Sequence, residues 1–252
     1  MGEVNTISVI TAVHPPSVPY LADAYDALRL QELPEGWAWQ WVVQEDGEQR
    51  VAQAVLPEDP RISYGSNRAS GPGVVRTTAL TRATGTLIRN LDADDKLLPG
   101  ALARDIARLT NDESIGFTTS RCLDLLPDGT VKSWEHADPS DGRIPRNSIK
   151  DQWQSDPNWI LSVHPVTVCI RRELLLAVGG WMALTTAEDT GMLLAANALA
   201  DGWFIWEPSI LYRKHSAQVT AQEYHNEPIE RQARRDLIVS RVEALQLFVS
   251  QP

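Results

Sequence analysis

Apolar residues alternate along the chain between short unbroken runs and longer stretches spaced for one face of a helix. The run "ISVITAV" predicts a first strand. The stretch "SVPYLADAYDALRLQ" then places Leu21, Ala24, Tyr25 and Leu28 on one helical face, with Ser17 at the capping position. "WAWQWVVQEDGEQ" predicts a strand that ends in an acidic turn at Glu45, Asp46 and Gly47, and the spacing of Trp37, Trp39 and Trp41 assigns them to one sheet face. A loop "SNRASGPG", a helix "VVRTTALTRAT", a strand "TLIRNLD" and a helix from Pro99 to Leu109 follow, with the proline in the first turn. Strands alternating with helices in this way predict βαβ units around a mixed, mostly parallel sheet flanked by helices.

The second half continues the pattern with one interruption. "SIGFTTSRCLDLLPDGTVKSW" predicts a hairpin turning at "PDGT". Residues 135–159 are polar and rich in Pro, Gly, Asp and Asn, and they carry Trp153 and Trp159; a connection of this length predicts a lid. "SVHPVTVCIRRELLLAVGGW" returns to strand and helix, "AEDTGMLLAANALADG" predicts a helix ended by Gly202, and "WFIWEPSILYRKH" predicts two short strands around Pro208. Beyond about Gln222 a C-terminal helix sets Arg231, Arg234, Arg235 and Arg241 as a basic flank beside Ile238, Val242, Leu245 and Val249. Such a face packs on the domain or on a second subunit, which leaves a homo-oligomer open.

Composition narrows the partners. A net charge of -10, with no long run of Lys and Arg, predicts no nucleic acid polymer as ligand. Nothing approaches the roughly 20 consecutive apolar residues of a membrane span, and the N-terminal run, broken by Ser8 and Thr11, is not a signal peptide. The two cysteines, Cys122 and Cys169, sit far apart in no paired motif, so the expectation is a cytoplasmic protein without disulfide or zinc, and with Cys169 a buried small hydrophobe.

The chemistry concentrates in "LIRNLDADDKLLPG", where Asp92, Asp94 and Asp95 stand behind an apolar run and ahead of a Pro-Gly break. Clustered carboxylates raise one another's pKa unless water screens them or a cation sits among the oxygens. Both readings stay open from this motif alone. It lies at the carboxyl edge of a predicted strand, where open α/β sheets bind their ligands.

The segment "VVRTTALTRATGTLIRNLDADDKLLPGAL" resembles the donor-binding segment of family 2 glycosyltransferases of the Rossmann-like GT-A fold, on Gly73, Arg76, Ala83, Gly85, Asp92, Asp94 and Asp95. "GGWMALTTAEDTGMLLAANALADGW" is similar to the family's Gly-Gly-aromatic and Glu-Asp segment, and "YRKHSAQVT" to its late Tyr-Arg-x-His element. The resemblance implies a GT-A domain over 1–220, with a nucleotide-sugar half (1–119) and an acceptor half (120–220), followed by a C-terminal helix over 221–252. It implies an inverting, metal-dependent transfer from a nucleotide sugar, UDP-linked by preference, to a hydroxyl of a soluble glycan, natural product or peptide. Asp94 and His215 would hold Mn²⁺ or Mg²⁺, an imidazole favouring Mn²⁺, and Asp92 would contact the ribose or the donor sugar. Asp46 would accept the imide N–H of the base, with Thr11, Val13 and His14 around it, and Arg76 would neutralise the acidic cluster or reach the nucleotide. Asp189 would be the general base, with Glu188 orienting it or the acceptor, and Trp181 would stack on a sugar. Departures from the family pattern are "TAVHPPS" after the first strand, "VQEDGEQ" in the acidic turn and Thr77 where an asparagine is usual. Two rivals carry different chemistry: a sugar-1-phosphate nucleotidyltransferase, which needs a Gly-rich basic loop that "TAVHPPSVP" lacks, and a carbohydrate-binding protein, which needs no base.

Overall fold

The computed structural model describes residues 4–133, 138–218 and 227–249. Strand β1 (Asn5–Val13) pairs in parallel with β2 (Trp37–Asp46), and β2 with β3 (Ile62–Asn67); on its other side β1 pairs in parallel with β4 (Leu87–Asn90). β5 (Lys96–Leu97) and β6 (Ile115–Leu125) follow, and β7 (Val131–Ser133) closes the hairpin on β6. β8 (Gly142–Ile144), β9 (Cys169–Arg171) and β10 (Asp201–Arg213) complete the sheet. The strand order is β3-β2-β1-β4-β9-β6-β10-β5, with β9 antiparallel to both neighbours and β10 parallel to β6. The sheet is therefore mixed and mostly parallel, as the alternation of strands and helices predicts.

Period-two alternation divides the strands between two cores. Ile7, Val9, Trp41 and Val43 face helices α1 (Leu21–Arg29) and α3 (Ala101–Asn111), which contribute Leu21, Leu28, Leu102 and Ile106. Ile10, Val42 and Ile88 face the opposite core, built on α2 (Pro72–Ala79) and, beyond α4 (Ser148–Ser155) and α5 (Arg172–Ala177), on α6 (Glu188–Leu199). Nearly every residue of α6 is buried, which its apolar circumference requires. Helix α7 (Pro228–Val249) covers α6 with Ile238 and Val242, so the C-terminal helix packs on the domain.

Several local expectations change. Ser17 caps nothing: a 3₁₀ turn over Pro15–Tyr20 precedes α1, and the Ser17 hydroxyl donates to the His14 carbonyl. Pro99 lies outside α3, whose N-cap is Gly100. Gly202 does not end α6; it sits in β10, where the ring of Phe117 occupies the space a Cβ would need. Pro208 does not split β10 into two strands, because it falls in a register irregularity between Ile205 and Ile210 that spares it a ladder bond. The region read as an irregular lid contains β8 and α4, and Ile149 and Trp153 anchor it in the core; its first residues, 135–137, lie outside the described residues. The predicted boundary at 220/221 also lies outside them.

Candidate active site

A cleft of about 790 Å³ opens at the carboxyl ends of β1, β2 and β4 and runs to the start of α6. Two glycines of the donor segment fix its geometry. A Cβ on Gly73 would overlap the Met182 carbonyl oxygen, so only glycine lets α2 approach the segment leading to α6. At Gly85 a Cβ would come within 2.6 Å of the Ser8 amide nitrogen, so the entry to β4 can lie against β1 only without a side chain.

The three aspartates behind β4 have three environments. Asp92 accepts from Arg76 Nη2 at 2.6 Å. Asp94 Oδ2 meets His215 Nε2 at 2.8 Å, and burial together with Asp92 holds its carboxyl above the ordinary range against the pull of His215. Asp95 is fully buried and accepts the Arg213 amide N–H at 2.9 Å; burial and its two acidic neighbours push its pKa well upward. Arg213 also donates from Nε to the Asp94 carbonyl at 2.8 Å and pairs with Asp23 at 2.6 Å. The Tyr-Arg-x-His element thus clamps the acidic turn through Arg213 and meets it through His215.

Opposite stands a second acidic pair. Glu188 and Asp189 open α6 directly after Ala187, a non-glycine residue with φ 63. The buried guanidinium of Arg76 bridges Glu188 and Asp92; burial opposes its charge, but the two carboxylates hold its pKa above the usual value. Burial, then the adjacent Asp189, pushes Glu188 up to about 7 despite Arg76. Burial also raises Asp189, and both residues line the cleft.

The structure brings Asp46, Arg76, Asp92, Asp94, Glu188, Asp189 and His215 to this one cleft. Asp46 accepts the backbone N–H groups of Ser70 and Gly71 at 2.7 and 3.1 Å, which pins the loop before α2 and still leaves carboxylate lone pairs for another donor. Glu45 points away, taking the N–H groups of Val51 and Ala52 and the hydroxyl of Tyr64. Two expected residues belong elsewhere. Thr11 is fully buried, and its hydroxyl accepts from Trp41 Nε1 at 2.9 Å, so the cleft is lined by Val13 and His14 instead. Trp181 is 4% exposed and packs in the α6 core, because the Gly179-Gly180 turn folds it inward while its amide donates to the Thr77 hydroxyl. The aromatic wall is made by Trp153 and Trp159 from the region read as a lid.

His164 is a site residue that periodicity gives no reason to single out. It lines the cleft half-buried beside Tyr212, its Nδ1 accepts the Val166 amide at 3.3 Å, and desolvation lowers its pKa to about 4, so it is a neutral ring. Its only local signal is the His-Pro step ahead of β9.

No three carboxylate, imidazole or thiol groups converge as a metal cage among the described residues. Two do fit part of one. Neighbouring donors on an octahedral ion with bonds of about 2.1 Å stand about 3.0 Å apart, close to the 2.8 Å between Asp94 Oδ2 and His215 Nε2. A mixed oxygen and imidazole pair suits Mn²⁺.

A mixed, mostly parallel sheet flanked by helices in this order is the GT-A fold. Solved structures of that class resemble this chain: S. aureus TarS 1-349 in complex with UDP (TM-score 0.64, 18% identity, 84% of this chain and 61% of that one) and with UDP-GlcNAc (0.65, 17%, 87% and 61%), and GalNAc-T7 with UDP, GalNAc and Mn2+ (0.64, 13%, 84% and 44%). This chain spans about six-tenths of that TarS fragment's length. The family model described as glycosyl transferase family 2 matches residues 8–179, and the chain belongs to that family. No curated protein matches the sequence. Among the described residues no helix is long and apolar enough to cross a membrane.

Proposed function

We propose that this glycosyltransferase moves a sugar from a UDP-linked donor to an acceptor hydroxyl by direct displacement with inversion. The observation that carries the reading is the convergence of Asp94 Oδ2 and His215 Nε2 at 2.8 Å in the cleft that Asp189 also lines. The similarity to proteins holding UDP, UDP-GlcNAc and UDP with Mn2+ supports the choice of donor and ion.

Asp94 and His215 would hold a divalent cation, which when bound supplies Lewis-acid stabilisation to the departing diphosphate. Asp46 accepts the imide N–H of uracil, and Asp92, held by Arg76, faces the ribose or the donor sugar. The acceptor oxygen attacks the anomeric carbon, the bond to the diphosphate oxygen breaks with its electron pair leaving on UDP, and Asp189 takes the hydroxyl proton. A carboxylate raised by burial is a stronger base than an exposed one, which suits it to this step. Glu188 orients the base through its place beside Asp189 and its bond to Arg76.

Thermal unfolding with UDP tests the cation assignment. UDP should raise the melting temperature more with Mn²⁺ than with EDTA, by mass-action stabilisation of the native state. Asp94→Asn and His215→Ala should each remove the Mn²⁺-dependent part. Equal shifts with and without metal would sink it.

A further inference from the structure

Part of the cleft wall is basic. Arg231 and Arg235, one turn apart on α7, line it together with Trp159, Leu161 and Ile238. Arg234 pairs with Glu230 at 3.2 Å, whereas among the described residues neither Arg231 nor Arg235 makes an ion pair with a carboxylate. Like charges at this spacing destabilise a helix. Burial, and then Arg231, pulls the Arg235 guanidinium below its usual pKa.

Arg235 is nevertheless fixed in place. Its guanidinium carbon lies 4.8 Å over the Trp159 ring, and Nη2 donates to the Asn158 carbonyl at 3.4 Å. Trp159 is fixed in turn: its carbonyl accepts from Trp153 Nε1 at 2.7 Å, and the two rings meet edge to face at 4.8 Å. It holds φ 57, a region that costs a non-glycine residue on the order of 1–2 kcal/mol. The Asp156 carboxylate steadies that turn by accepting the amides of Asn158 and Ile160. Strain held by so many bonds marks a positioned group. The platform also stands on one side of the chemistry. Helix α7 packs on α6, which begins with Glu188 and Asp189, while Asp46, Asp92 and Asp94 stand at the ends of β2 and β4.

We propose that Arg231, Arg235 and Trp159 form the subsite for an anionic carbohydrate acceptor: its phosphate or carboxylate lies between the two guanidiniums and a sugar face lies on the indole. Guanidinium groups match such oxyanions with paired, charge-assisted bonds, and the apolar face of a sugar ring suits an indole. The inference rests on the glycosyl-transfer reading above and names the acceptor class for it.

Isothermal titration of the protein saturated with UDP and Mn²⁺ tests it, using neutral monosaccharides, their phosphate monoesters and the matching uronic acids as probes. At least one anionic series should bind on the order of tenfold or more tightly than its neutral parents. Arg231→Gln/Arg235→Gln should bring that ratio to about one and leave UDP affinity unchanged. An advantage confined to the monoesters assigns a phosphate, and one confined to the uronic acids a carboxylate. Equal binding of charged and neutral sugars by the unaltered protein would overturn the proposal. So would a double variant that loses UDP affinity in place of the anion preference, since the guanidiniums would then serve the donor diphosphate. UDP is titrated first, so a failure of the donor reading shows before any sugar is added. The sugars are titrated in that case too, and the anion preference is decided separately.

Discussion

Two acidic pairs face each other across the cleft, and they are acidic for different reasons. Asp92 and Asp94 follow the end of a strand, where no helix dipole helps them, and each is answered by one side chain: Arg76, from the helix before that strand, for Asp92, and His215, from far along the chain, for Asp94. Glu188 and Asp189 begin a helix, which favours negative charge there, yet Glu188 is more deeply buried than either aspartate, and the pair has a single cation beside it, Arg76. The strand-end pair therefore lies close to a donor that an added cation can join. The helix-start pair is short of positive charge and is tuned toward holding a proton. The mechanism proposed above gives binding chemistry to the first pair and proton transfer to the second, with Arg76 the one group common to both.

The division of labour is broken most severely at Asp189. Asp189→Asn keeps the size and removes the basic electron pair, so turnover should fall on the order of 10²- to 10⁴-fold. UDP affinity in Mn²⁺ should stay unchanged, which single-turnover kinetics and titration read separately. Wild-type turnover with a hydroxyl acceptor would move the base to Glu188.

The link between the pairs breaks at Arg76. With Arg76→Met, Asp92, Glu188 and Asp189 face one another without a cation, and loss of one partner from a buried pair costs about 3–5 kcal/mol. Urea denaturation should show that loss, with Arg76→Lys falling between. An unchanged midpoint would mean that the two pairs are electrostatically independent.

Glu188 gives the comparison a pH signature. It moves from 4.5 to about 7 on folding, so between these values the native state keeps a proton that the unfolded chain has released. Stability contributed in this way is complete below pH 4.5 and falls as pH rises through the window. The whole difference is on the order of 3 kcal/mol. Denaturation across that window should slope downward in the unaltered protein and more gently in Glu188→Gln. Parallel slopes would assign the pH dependence to other buried acids.

The two pairs also differ in how far a sequence reveals them. β1 and β2 carry long apolar runs and β4 is a short one set between Gly85 and the aspartates, so their positions, and the acidic turn after β4, follow from pattern alone. α4 has only Ile149 and Trp153 to mark a buried face, and β3 is half-buried along its length, so neither leaves a clear period. Collinear motifs named the residues that the cleft collects, because Arg76, Asp94, Glu188 and His215 meet only through contacts spanning about half the chain or much of the donor segment. The motifs could not tell which tryptophan faces the cleft. Trp181 and Trp159 both stand in loops, and it is the backbone of each turn, Gly179-Gly180 for one and the left-handed Trp159 itself for the other, that sends one ring into the core and the other to the wall.

The finest test lies inside the acidic turn, where neighbouring aspartates should respond oppositely to one substitution. Asp94 reaches His215 at the cleft, and its charge is what a cation would require, so Asp94→Asn should abolish the Mn²⁺-dependent part of UDP binding. Asp95 is fully buried, its pKa is driven well upward by burial and by its acidic neighbours, and its carboxylate takes the Arg213 amide N–H at Oδ1. An asparagine carbonyl accepts that bond equally well, and a neutral side chain removes repulsion from Asp92 and Asp94. Among the described residues the remaining buried atom of Asp95, Oδ2, has no hydrogen-bond partner, so an amide nitrogen in its place forfeits no existing bond. Asp95→Asn should therefore change stability by no more than about 1 kcal/mol, the scale of a single net hydrogen bond, and leave the Mn²⁺ dependence intact. Loss of that dependence in Asp95→Asn would show that the ion draws on the charge of the whole turn and would end the assignment of separate roles to its aspartates.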